Sequence, residues 1–90
     1  MPNAELMLYI ATLGEEAKKK GFELLQKMRD KGISAEMDFS GRSLKSQMRE
    51  ANRLQAQKVW ILGEDELAKG IIVEKNMQDS SQVEVSISSI

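Results

Sequence analysis

The residues best suited to chemistry in this 90-residue chain lie together at Asp38-Phe39-Ser40-Gly41-Arg42-Ser43-Leu44-Lys45-Ser46-Gln47. The segment closes a strand, turns at Ser40-Gly41 and opens a helix whose first residues carry cations and hydroxyls. Open α/β sheets bind ligands outside the carboxyl ends of their strands, and helix N-termini attract anions through their unpaired N–H groups. Arg42, Ser43, Lys45 and Gln47 at such a position suit a phosphate or a base edge. Further along the same helix, Arg49 and Arg53 add cations and Asn52 adds an amide. Asp38, Glu64 and Glu66 could accept hydrogen bonds from base amino groups. Carboxylates near helix starts are also explained by the macrodipole alone.

Composition removes several kinds of chemistry. The chain has neither cysteine nor histidine, so disulfides, thiolate nucleophiles, Cys/His zinc sites and imidazole acid–base catalysis are excluded. No nucleophile or metal motif accompanies the carboxylates, and Gly14-Glu15-Glu16-Ala17 lacks the glycine density and lysine of a phosphate-binding loop. The chain has no charged-then-apolar leader and no apolar run near 18 residues, which reads as a soluble cytosolic protein without membrane contact.

The net charge of −1 argues against gripping nucleic acid by bulk electrostatics, but its distribution is uneven. Residues 1–40 carry six basic and seven acidic groups, for −1. Residues 41–58 carry Arg42, Lys45, Arg49, Arg53 and Lys58 against Glu50 alone, for +4. Residues 59–90 carry two lysines against six carboxylates, for −4. The cations occupy one helix-sized block. The alternative to a binding surface is a solvated helix face.

The elements that must position this block follow from periodicity. Residues 1–5 are a short polar lead-in or linker. Leu6–Leu13 is a continuous apolar run of strand length, as expected for a parallel strand buried on both faces. A helix follows Gly14, with Ala17, Gly21, Leu24, Leu25 and Met28 on one stripe, and ends at Gly32. Gly21 costs helix propensity, so its expected use is close approach to the sheet. Ser34–Phe39 alternates as a second strand, with Ala35, Met37 and Phe39 on one side and Glu36 and Asp38 on the other. Ser40 or Ser43 caps the next helix, whose apolar stripe is Leu44, Met48, Ala51 and Leu54. At 100° per residue, Arg42, Lys45, Arg49 and Arg53 fall on nearly the opposite side.

Val59–Leu62 is the third strand, and Glu64–Glu66 begins a short helix that Gly70 closes. Ile71–Met77 and Val83–Ile87 are the last strands, around the turn at 78–81. Trp60 and Tyr9 sit within apolar strands and read as core, with base stacking as the alternative for Trp60. The link between strands three and four is only about seven residues, too short for a parallel crossover, so strand four runs antiparallel to strand three. Right-handed βαβ crossovers then predict an α/β fold. It is a single three-layer domain over residues 6–90, with a five-stranded mixed sheet in the order 2-1-3-4-5 and helices on both faces. A small flavodoxin-like domain with a nucleotide or metabolite at the switch point fits the same topology.

The run Gly41-Arg42-Ser43-Leu44-Lys45 followed by Gln47, with LGEDELAKG at 62–70 and LGEEAK at 13–18, resembles the C-terminal anticodon-binding domain of histidyl-tRNA synthetases. The resemblance extends over roughly residues 7–87. It implies a tRNA anticodon-binding module with no catalysis or cofactor of its own and favours an RNA-binding role for the segment Arg42–Gln47. With the residues singled out above, the candidate RNA-binding set is Asp38, Arg42, Ser43, Lys45, Gln47, Arg49, Asn52, Arg53, Glu64 and Glu66. By the same resemblance the intact protein is a class II synthetase that joins histidine to its tRNA. Its separate catalytic domain would use ATP, with magnesium, and the protein would form a homodimer. A regulatory or dimerisation module of a synthetase-like protein is the other reading the resemblance allows. The family ordinarily continues past its last strand into a helix. This sequence stops at Ser88-Ser89-Ile90, which predicts an excised fragment or a natural truncation, with Val83, Val85 and Ile87 lacking an obvious cover.

Overall fold

The computed structural model describes residues 6–90, so the lead-in expected at 1–5 lies outside the described residues. The elements run β1 (Leu8–Thr12), α1 (Glu15–Asp30), β2 (Ala35–Met37), α2 (Leu44–Arg53), β3 (Lys58–Leu62), α3 (Glu64–Lys69), β4 (Ile71–Asn76) and β5 (Gln82–Ser86). One mixed sheet has the order β2-β1-β3-β4-β5. β1 pairs parallel with β2 and β3, whereas β4 is antiparallel to β3 and β5 to β4. This is the predicted α/β topology.

β1 sits between its parallel partners and all five of its residues are buried. Alternate side chains feed two cores. Leu8 and Ile10 join Trp60, Leu62 and Ile72 beneath the α1 residues Ala17, Leu24, Leu25 and Met28. Tyr9 and Ala11 join Val59 on the opposite face, beneath Leu44, Met48, Ala51 and Leu54 of the α2 segment. Trp60 is core as expected, 7% exposed, and its indole N–H donates to Glu74 Oε1 at 3.0 Å.

Glycine is required at two points near the carboxyl end of β1. Gly14 turns the chain into α1 at φ 101° and ψ 157°, a region only glycine enters readily. Gly21 brings α1 against the sheet, because a Cβ there would stand 2.5 Å from the Thr12 methyl and 3.4 Å from Ile10 Cγ2. Gly21→Ala should therefore cost stability despite its better helix propensity. Overpacking at about 1–3 kcal/mol outweighs a propensity gain of about 1 kcal/mol, leaving a net loss of about 1 kcal/mol. A urea midpoint equal to or above wild type would show that the Thr12 side chain yields freely.

β1 and β2 are shorter than their apolar patterns. β2 ends at Met37 because Asp38 bends the chain, its carboxylate accepting the backbone N–H of Arg42 at 2.9 Å. Ala35 and Met37 are buried and Glu36 exposed, as the alternation predicts, but the next two residues reverse it. Asp38 is 5% exposed and Phe39 is 51% exposed. Phe39 leaves the sheet to pack edge-on against Phe22 of α1, ring centroids 6.2 Å apart.

At the other edge, residues Ile87–Ser89 form a 3₁₀ turn after β5. Val85, Ile87 and Ile90 pack against the α1-side core, so the expected bare surface is confined to Val83 among these residues. Among the described residues no helix is long and apolar enough to cross a membrane.

Candidate functional site

The site is built around the start of α2. Ser43, rather than Ser40, caps the helix: its Oγ accepts the Ser46 N–H at 3.2 Å. Ser40 instead donates its hydroxyl to Asp38 Oδ1 at 2.8 Å. Arg42 Nε donates to the same oxygen at 3.0 Å, while the Arg42 backbone N–H holds Oδ2. Burial acts to raise the Asp38 pKa, but these hydrogen bonds to the ionised form outweigh it and hold the carboxyl down at about 2. The pairing with Asp38 in turn raises the pKa of Arg42. Asp38 is thus a buried anchor that accepts from Arg42 and Ser40, and it does not present its carboxylate to a base. Arg42 keeps an exposed guanidinium whose terminal nitrogens have no partner among the described residues.

Gln47 also differs from expectation. Its side chain is fully buried at 0% exposure. Its Oε1 accepts the Thr12 N–H at 3.0 Å, and its Nε2 donates to Thr12 O at 2.9 Å and to Arg42 O at 2.7 Å. Both amide donors are used and the oxygen is buried on Thr12, so the side chain cannot read a base edge in this arrangement. It holds α2 to the end of β1 and fixes the backbone carbonyl of Arg42. The helical spacing contained this signal, because Gln47 falls between Leu44 and Ala51 on the stripe that faces the sheet.

The outer side of α2 gathers what remains. Arg42, Ser46, Arg49, Glu50, Asn52 and Arg53 line one surface depression of about 420 Å³. Arg53 Nε donates to Glu50 Oε1 at 3.0 Å, which raises the Arg53 pKa and lowers that of Glu50. Arg49 and Asn52 are exposed with no side-chain partner among the described residues. Lys45 is exposed and Ser43 is the cap, and neither lines the depression. Tyr9 lies beneath α2 with its hydroxyl buried and without a hydrogen-bond partner among the described residues. Burial, and next the charge of Asp38, raise its pKa.

Glu64 and Glu66 stand apart from this depression. Glu66 Oε1 accepts the Gly63 N–H at 2.9 Å and serves as the cap of α3. The exposed Glu64 folds over Gly14, where a Cβ would come within 2.5 Å of its Oε2. The switch point between β1 and β3 is therefore filled, by the Gln47 amide on Thr12 and by Glu64 over Gly14. A flavodoxin-like nucleotide site would need that space.

Comparison with known proteins agrees with this arrangement. The chain is 46% identical over 88 residues to a histidine–tRNA ligase of Halalkalibacterium halodurans, covering 98% of this chain and 21% of that protein. It is 50% identical over 80 residues to the corresponding ligase of Desulfatibacillum aliphaticivorans, covering 89% of this chain and 19% of that protein. The chain thus spans about a fifth of the length of the curated relatives it matches. The crystal structure of apo histidyl-tRNA synthetase from S. aureus superposes with a TM-score of 0.91 at 32% identity, over 97% of this chain and 22% of that one. Residues 7–90 match the family model described as an anticodon binding domain. With a matching fold and with cations exposed along α2, the chain belongs to the anticodon binding domain family.

Proposed function

We propose that this chain is the anticodon-reading part of a histidine–tRNA ligase and binds the anticodon stem-loop of a histidine-accepting tRNA. One observation carries the reading. α2 is fixed to the sheet by its buried side, through Gln47, while Arg42, Arg49 and Arg53 open together into one depression beside Asn52. Arginines on a rigid helix suit RNA phosphates, because they remain charged and present several donors in a fixed plane. Arg42 is oriented by a buried carboxylate, since Asp38 holds its Nε edge and leaves the terminal nitrogens for a ligand, whereas Arg53 is held to Glu50 through both Nε and a terminal nitrogen. Arg42 is therefore the candidate for a base edge, and Arg49 and Arg53 for phosphates. Lys45 and Ser43 lie at the approach to the same helix start, and Glu64 at the far side of the β1 end.

In the same proposal, ATP-dependent joining of histidine to tRNA, with magnesium, belongs to a catalytic domain elsewhere in a longer, cytoplasmic and homodimeric protein. Among the described residues no three of His, Cys, Asp or Glu are grouped to hold a metal ion. This chain contributes affinity and selectivity.

The test is a fluorescence titration of a histidine-tRNA anticodon stem-loop, and of one with a scrambled anticodon, at several salt concentrations. Affinity should fall with salt at a slope of roughly −0.7 per phosphate contact on single-stranded RNA. Arg49→Ala and Arg53→Ala should weaken both loops alike and flatten that slope. Arg42→Ala should lose about 1–3 kcal/mol, mostly on the cognate loop. Equal binding of both loops by wild type, unchanged by Arg42→Ala, would refute anticodon reading.

A further inference from the structure

The cationic depression does not end at Asn52. The same side chain lines a second depression of about 400 Å³, completed by Gln55, Ala56, Gln57, Met77 and Gln78. The two halves differ in chemistry. The first holds three arginines and a carboxylate, whereas the second has no charged side chain among the described residues and is rimmed by amides. Asn52, Gln55 and Gln78 are exposed, and their amides have no hydrogen-bond partner among the described residues.

The backbone at Gln55 supplies an independent observation. Gln55 has φ 58°, in the left-handed region. It ends α2 in a Schellman arrangement: its N–H donates to Asn52 O at 3.0 Å, and the Ala56 N–H donates to Ala51 O at 3.0 Å. Glycine is the usual residue at this position, because a Cβ there is crowded by the neighbouring carbonyl. Glutamine instead keeps a side chain at the rim of the depression at some cost to the fold. Backbone strain of this kind gathers where a side chain is needed for binding.

An amide presents a donor and an acceptor side by side, which matches the edge of a base and offers a phosphate no charge. Phosphate contacts position a nucleic acid, whereas contacts to base edges specify its sequence, and a paired donor and acceptor suits the second task. We infer that Asn52, Gln55 and Gln78 read an unpaired nucleobase of the RNA whose phosphates lie on Arg49 and Arg53. Met77, partly buried on the core, gives the base an apolar floor. The inference rests on the RNA-binding reading above and adds a second reading position at the opposite end of α2 from Arg42.

The test uses Gln55→Gly and Gln78→Ala in the whole chain, titrated with the cognate and scrambled anticodon stem-loops. Gln55→Gly should melt a few degrees higher, because glycine relieves the left-handed strain. Each variant should nonetheless lose roughly tenfold of the preference for the cognate loop. The salt slope should stay that of wild type, since no phosphate contact is removed. A stabilised variant with poorer discrimination cannot be explained by unfolding. If wild type prefers the cognate loop and both variants keep that preference, the inference fails and the RNA-binding reading stands. If a variant weakens both loops equally and changes the slope, the amides hold backbone and the inference fails. If wild type binds neither loop, both readings fall together.

Discussion

Gln47→Ala should lose about 3 kcal/mol of folding stability, enough to leave a small domain partly unfolded at physiological temperature. The side chain makes three hydrogen bonds from a position with 0% exposure, two of them to the Thr12 backbone and one to Arg42 O. Truncation strands a buried N–H and two carbonyls, at about 1–3 kcal/mol for each group that finds no substitute, and opens a cavity where the amide packed. Water entering the cavity offsets part of that sum. Gln47→Leu fills much of the volume and so isolates the polar contribution. Gln47→Glu is more severe at neutral pH. A carboxylate can still accept the Thr12 N–H, but it would face Thr12 O and Arg42 O with no proton to give. Urea unfolding of the three variants checks the order, with Leu expected to be least damaging. Wild-type midpoints for all three would mean that α2 is not held through this side chain.

Much of the fold was legible because its signals are local and agree with one another. The apolar runs at β1 and β3, the stripe of α1 and the short link before β4 leave little freedom in strand order. Gly21 could be placed against the sheet from its cost alone. The site was less legible, because residue type does not reveal which way a polar side chain turns. Gln47 and Asn52 are both amides on α2, yet one is buried on Thr12 and the other exposed. Helical spacing separates them, since Gln47 shares the face of Leu44 and Ala51, but a polar residue on an apolar stripe is easily assigned to solvent. Asp38 misled in another way. Strand alternation put it on the outer face, but β2 had already ended and the carboxylate turned inward to hold Arg42. Gln55 carried no sequence signal, because its importance lies in a backbone angle.

Asp38→Asn should lose about 2.6 kcal/mol or more at neutral pH, and the charge-dependent part of the loss should disappear in acid. The folded carboxyl titrates at about 2, against about 3.9 for an unfolded aspartate. Between these values the unfolded chain binds a proton that the folded chain does not, so lowering the pH favours unfolding. The contribution is complete above about pH 4 and is lost as the pH falls through about 2. A difference of nearly two pKa units corresponds to about 2.6 kcal/mol. Asparagine keeps the shape and can still accept the Arg42 N–H through its carbonyl, but its NH2 then faces Arg42 Nε–H, donor against donor, so the variant removes the charge and that hydrogen bond together. The gap between wild type and Asp38→Asn should be widest near pH 6 and should narrow toward pH 2. Chemical denaturation across that range measures it, and a gap that does not change with pH would show that the carboxylate is not preferentially ionised in the fold. The same substitution reaches the binding surface. Without its anionic partner, Arg42 gains rotamer freedom that a bound RNA must then remove. Asp38→Asn should therefore weaken the cognate stem-loop more than the scrambled one, even though Asp38 itself touches neither.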